Sequence, residues 1–125
     1  MQRSSAGSVE GKKILLVDDD HVVRGLRATI LGNLGHDITE AVSLSDARSL
    51  WSPGLFNLVI VDVKQSLSEA IDFCEEIKRV GKQVVAFLTP YTAYVPKGAC
   101  PDDVIHKEDG PANFVREVQQ LLGVA

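Results

Sequence analysis

The sequence predicts an α/β domain built on a single doubly wound, five-stranded parallel sheet with helices on both faces. Three observations carry this expectation. Short apolar runs of strand length alternate with stretches whose apolar residues recur at helical spacing. The central run, Leu58-Val59-Ile60-Val61, is apolar at every position, as strands covered on both faces are. Acidic, hydroxyl and basic residues follow four of the runs, where open parallel sheets keep their ligand crevice. A chain of 125 residues, 45% of them apolar, suits one compact domain with a sizeable core.

Residues 1–11 are polar and rich in Ser and Gly, so they read as a flexible leader, and the domain spans 12–125. Ile14-Leu15-Leu16-Val17 is the first strand, ending in three acids. Val22, Val23, Leu26, Ile30 and Leu34 form a helical stripe over 21–34, with Asp20 as its cap and Gly35 as its end. His36 to Ala41 is a short second strand. Ser43 caps a helix whose apolar face holds Leu44, Ala47, Leu50 and Trp51, and Ser52-Pro53-Gly54 breaks it. Phe56 to Val63 is the central strand. Ser68 is expected to cap a third helix bearing Ile71, Phe73, Cys74, Ile77 and Val80, closed by Gly81. Val84 to Leu88 and Val104 to His106 are the fourth and fifth strands. Pro111 suits the first turn of a last helix with Phe114, Val115, Val118, Leu121 and Leu122 on its stripe.

Charge and composition exclude several classes. A net charge of -4 with no run of Lys or Arg gives no footprint for nucleic acid. No apolar run is long enough to span a bilayer, and the N-terminus lacks the apolar stretch of a signal peptide, so a cytoplasmic protein is expected. Cys74 and Cys100 are expected as two reduced thiols, and the three histidines do not share metal-ligand spacings with them.

The strand ends carry the chemistry. Asp18-Asp19-Asp20 follows the first strand, Asp62 the third, Thr89 the fourth and Lys107 the fifth. Carboxylates at adjoining strand ends repel one another by about 1–4 kcal/mol per close pair. A hard divalent ion such as Mg2+ would offset this with oxygen ligands, and Lys107 would neutralise further charge. Acids, a divalent ion, a lysine and a hydroxyl suit phosphoryl transfer, in which a carboxylate can itself be the nucleophile.

These stretches, ILLVDDD (14–20), NLVIVDV (57–63), VVAFLT (84–89) and GACPDDVIHK (98–107), resemble the receiver domains of two-component response regulators from Lys12 onward. The resemblance implies a flavodoxin-like (βα)5 fold with strand order 2-1-3-4-5. It implies Asp62 as phosphoacceptor, Asp19 as the direct Mg2+ ligand with Asp18 assisting through water, and the Lys64 backbone carbonyl as a further ligand. Thr89 and Lys107 match the groups that hold the phosphoryl oxygens. The implied donor is a phosphohistidine on a sensor histidine kinase or phosphotransfer protein. The domain would signal to a downstream protein rather than act as an enzyme.

Five departures qualify the expectation. The Lys64 side chain stands beside the pocket, with solvent its expected direction. Pro90 follows Thr89 and has no N–H to offer a phosphoryl oxygen. Glu108 follows Lys107 where the family has a cis proline, so a trans bond is expected. Val104 takes the place of the family's switch aromatic. The Thr89–Lys107 separation is also short by about one helical turn, and Pro96 falls in it, so the fourth helix should be absent or much shortened. Lys64, Pro90 and the degenerate fourth helix motivate an alternative, a pseudo-receiver that binds partners without efficient phosphorylation. A nucleotide-binding module is disfavoured because no Gly-rich loop follows the first strand.

Overall fold

Five parallel strands in the order β2-β1-β3-β4-β5 form the sheet of the computed structural model, which describes residues 11–64 and 66–124. They are β1 (Lys13–Val17), β2 (Asp37–Ala41), β3 (Leu58–Asp62), β4 (Val85–Thr89) and β5 (Asp103–His106). The helices are α1 (His21–Asn33), α2 (Leu44–Leu50), α3 (Leu67–Val80) and α4 (Gly110–Leu122), with a 3-10 turn at Lys107–Asp109 before α4. The fold class and strand order are those expected from the sequence. The expected leader lies outside the described residues except for Gly11. No helix among the described residues is long and apolar enough to cross a membrane.

Strand residues alternate between two cores, because successive side chains point to opposite faces. Leu15, Val17, Val59, Val61, Val85 and Phe87 pack with Ala47 of α2 and with Ala70, Phe73, Cys74 and Ile77 of α3. Ile14, Leu16, Leu58, Ile60, Ala86 and Leu88 pack with Leu31 of α1 and with Phe114 and Val118 of α4. The sheet is therefore covered on both sides, and its functional groups emerge only at the carboxyl edge.

Helix starts follow side-chain caps. Asp20 accepts from the amides of Val22 and Val23, and Ser43 from that of Asp46. Gly35 holds φ of 95°, a left-handed conformation that turns the chain from α1 into β2 at no steric cost. Two expectations need correction. Ser66, not Ser68, caps α3, accepting from the Glu69 amide, so the helix begins at Leu67. The buried face of α1 is also not the stripe of Val22 and Leu26, which are exposed. Arg24 and Leu31 are buried instead, with Ala28 packed beside Leu31. Arg24 turns inward because its Nη1 donates to the Asp18 carbonyl at 2.8 Å and its Nε to Glu40 at 2.9 Å.

No helix joins β4 to β5, as the prolines of that segment led one to expect. The chain makes turns closed by Ala93 N–H to Pro90 and Ala99 N–H to Pro96. Asp102 then fastens it. Its carboxylate accepts from the Val85 amide at 2.8 Å and from Lys78 of α3 at 2.7 Å.

Cys100 in this segment is disulfide-bonded to Cys74 of α3, which corrects the expectation of two reduced thiols. The spacing of 26 residues gave no sign of it, because pairing depends on the segment folding back over α3. Closing a loop of that length stabilises by about 3 kcal/mol in the chain-entropy model. Cys100→Ser should lower the unfolding free energy by about that amount, read as a lower urea midpoint. Equal midpoints for the native chain with and without a thiol reductant would contradict the bridge.

Candidate functional site

Asp62 is the last residue of β3, and pairing with β1 and β4 sets it between the ends of those strands. Its carboxylate is 1% exposed. Asp18 follows β1, its carboxylate wholly buried, and its Oδ1 accepts from the Asp20 amide at 2.9 Å. Asp19 points farther out and is largely exposed. The acid pair and the lone acid thus meet at the carboxyl edge of the sheet, as the order of strand ends implied.

Three cationic side chains converge on these acids from three parts of the chain. Lys107, directly after β5, donates to Asp62 Oδ1 at 2.6 Å. Arg27 of α1 places Nη1 2.6 Å from Asp62 Oδ2 and 3.2 Å from Asp18 Oδ2. Lys64 sets Nζ 2.9 Å from Asp18 Oδ1, 3.1 Å from Asp62 Oδ1 and 3.6 Å from Asp19 Oδ1. Both oxygens of Asp62 are therefore engaged by cations.

Burial works to raise the Asp62 pKa. The hydrogen bonds and charges of Lys107, Arg27 and Lys64 outweigh it and hold the carboxyl below its ordinary value. Burial works to lower the Lys64 pKa, but its bonds to Asp18 and Asp62 dominate and raise it well above the usual lysine range. The expectation that Lys64 points to solvent is thus corrected. Two buried carboxylates beside it make the pocket the better solvated place for an ammonium.

Arg27 was not among the site residues expected from the sequence, where α1 was read only from its apolar stripe. The available signal was the spacing of Arg24 and Arg27, three apart and one turn above the acids, which puts both on one helix face.

Thr89 ends β4 and is fully buried, but its Oγ1 lies 3.4 Å from Nδ1 of His106, its strand partner, rather than bonding Asp62. The ring of Tyr91 packs against His106 at 5.0 Å between centroids. The Tyr91 amide also donates to the Glu108 carboxylate at 3.0 Å, and the Tyr91 hydroxyl donates to Asp109. Thr89, His106 and Tyr91 form a chain of contacts at the ends of β4 and β5, while position 104 holds Val in place of an aromatic. Tyr94 stands exposed. The bond between Lys107 and Glu108 is trans, as expected, since no cis peptide occurs among the described residues.

The donor chemistry suits a hard divalent ion, because Asp18, Asp19 and Asp62 are oxygen donors that all reach one cationic nitrogen. With the Lys64 ammonium at that point, no three acidic, imidazole or thiol groups among the described residues are arranged as a metal-ligand set. Beside the acids a cleft of about 690 Å³ opens toward α2 and α3, lined by Ser43, Arg48, Lys64, Ser66, Glu69 and other residues.

Comparison with known proteins gives consistent relatives. No family model matches the chain. Two curated relatives are probable transcriptional regulators ycf27, from Cyanophora paradoxa (25% identical) and Porphyridium aerugineum (26%). Each alignment covers 91% of this chain but 49% of the relative, so the chain spans about half their length. Among solved structures, the response regulator TrrA of Thermotoga maritima, in complex with Mg2+ and BeF, is 26% identical with a TM-score of 0.76, covering 88% of this chain and 98% of that one. The non-phosphorylated HemR receiver domain of Leptospira biflexa has a TM-score of 0.79 at 22% identity, covering 91% and 96%. A CheY-like receiver domain from Methanospirillum hungatei JF-1 has a TM-score of 0.76 at 21% identity, covering 91% and 95%.

The inward arginine gives a test of the site's architecture. Arg24→Met leaves the Asp18 carbonyl without its charge-assisted bond and should cost about 1.5–3 kcal/mol in urea unfolding. A loss under about 0.5 kcal/mol would place Arg24 in solvent.

Proposed function

We propose that this chain, whose fold is that of response-regulator receiver domains, is a signalling switch that accepts a phosphoryl group on Asp62. One observation carries the reading. A buried carboxylate at the end of the central strand lies 2.6 Å from the Lys107 ammonium and shares two further cations with the Asp18 carboxylate. This is a nucleophile held ionised beside groups that can take up phosphoryl charge.

In the reaction, an Asp62 oxygen attacks phosphorus while the bond from phosphorus to the donor's imidazole nitrogen breaks. An acyl phosphate forms, and the leaving imidazole keeps the electron pair and takes a proton from solvent. Lys107 shifts from Asp62 Oδ1 to a phosphoryl oxygen. Thr89 turns its hydroxyl from His106 toward the same group, and Pro90 supplies no amide there. A bound Mg2+, held by Asp19, Asp18, Asp62 and the Lys64 carbonyl, would neutralise phosphoryl oxygens. Thr89 leaving His106 frees the ring on which Tyr91 rests, so the output would pass through His106 and Tyr91 into the segment between β4 and β5.

The donor would be a sensor histidine kinase or a histidine phosphotransfer protein. The domain would act through a downstream protein and, of itself, neither bind nucleic acid nor catalyse turnover of a substrate. The transcriptional role in the names of its curated relatives would belong to such an output.

A specific observation favours a second reading, a pseudo-receiver. Both Asp62 oxygens are bonded by cations, so the nucleophile is fully engaged at rest. Intact-mass analysis after incubation with acetyl phosphate and Mg2+ separates the two. The switch predicts one added phosphoryl group, lost in Asp62→Asn. No added mass in the native chain would leave the pseudo-receiver reading standing.

A further inference from the structure

We infer that Lys64 is a built-in counter-ion of the acid cluster, and that a divalent cation enters only by displacing its ammonium. The inference rests on reading this cluster as the cation site of a receiver, and it adds how entry is controlled.

Asp18, Asp19 and Asp62 bring three negative charges, and Arg27, Lys64 and Lys107 bring three positive ones, all within 3.6 Å contacts. The cluster has no net formal charge left to draw in a divalent ion. Without Arg27 and Lys64 the same acids would keep two negative charges, which is the charge a divalent ion offsets.

Position singles out Lys64 from the other two cations. It alone contacts all three carboxylates, so its nitrogen lies at the point their oxygens share. Arg27 touches only Asp18 and Asp62, and Lys107 touches only Asp62 among the acids.

Mobility singles it out again. The Lys64 side chain is 33% exposed, against 17% for Arg27. Lys64 stands beyond the end of β3 on a flexible four-carbon stem beside the open cleft, and can swing out without unpacking the core. Arg27 lies on α1 and runs beneath the acids, where it lines a separate small cavity with Ile105, Lys107 and Phe114. Arg27 therefore stays as a fixed charge, and Lys64 is the exchangeable one. A divalent ion arriving here must break three ammonium contacts that an acid cluster without such a lysine does not make.

Calorimetric titration of Mg2+ into the full chain, with no phosphoryl donor present, tests this. Lys64→Met should bind Mg2+ at least about tenfold more tightly than the native chain, equivalent to about 1.4 kcal/mol. Lys64→Arg, which keeps the charge, should stay within about threefold of native. In thermal melts Lys64→Met should be less stable than native without Mg2+ and regain that stability as Mg2+ is added. If Lys64→Met folds only with Mg2+, that dependence is the same result in stronger form. Equal Mg2+ affinity in native and Lys64→Met chains, or tightening in Lys64→Arg to match Lys64→Met, would overturn the inference. Because no step uses phosphorylation, its failure leaves the Asp62 acceptor reading untouched, and a chain that resists acetyl phosphate can still pass this test.

Discussion

A carboxylate buried at the carboxyl edge of a sheet stays ionised only if charge and hydrogen bonds replace the water it has lost. At Asp62 that replacement comes from three places: Lys107 after β5, Arg27 on α1 and Lys64 beyond β3. Much of the surrounding structure is arranged to deliver those three groups. The short β5 and the 3-10 turn after it aim Lys107, and α1 must lie against β1 for Arg27 to reach both Asp18 and Asp62. Arg24, one turn earlier, ties that helix to the Asp18 carbonyl and to Glu40 at the end of β2. The acid cluster and the helix packing are thus one interdependent network.

The same constraint shapes what the domain can do. A nucleophile must be ionised, and these cations keep Asp62 so, but each bond to its oxygens also has to yield before a new one forms. On the proposed reading, capture of a phosphoryl group and entry of a divalent ion would be competitions with groups the chain already supplies. Farther out, the segment between β4 and β5 has no helix to move. It is held by Asp102 against β4 and α3 and by the Cys74–Cys100 bridge, and Tyr91 packs on His106 at its start.

Much of this was legible in the sequence because it depends on local rules. Continuous apolar runs mark strands buried on both faces, and the residues just after them fall at one edge of a parallel sheet, which placed Asp18, Asp62, Thr89 and Lys107. Asp20 and Ser43 read as caps because their acceptors reach amides two or three residues on. Pro96 read as a helix breaker because its ring has no place in a helix interior. What stayed hidden depends on tertiary context. Arg24 and Arg27 sit on the inward face of α1 because the acids lie beneath it, which helical periodicity alone cannot show. Lys64 turns inward for the same reason. Ser66 and Ser68 can each cap a helix, and whether Leu67 belongs to it is settled by Leu67 packing against the α3 core. The cysteine pairing waits on how the segment before β5 folds back.

The central claim is that the Lys64 ammonium is bound among the three carboxylates and is the group a divalent ion must move. The side-chain nitrogen of Lys64, followed by heteronuclear NMR during addition of Mg2+, reports on it directly. The account predicts a hydrogen-bonded ammonium, protected from solvent exchange, that gives way to a freely exchanging one as Mg2+ binds. An ammonium that exchanges like a surface lysine from the outset, and does not respond to Mg2+, would contradict it.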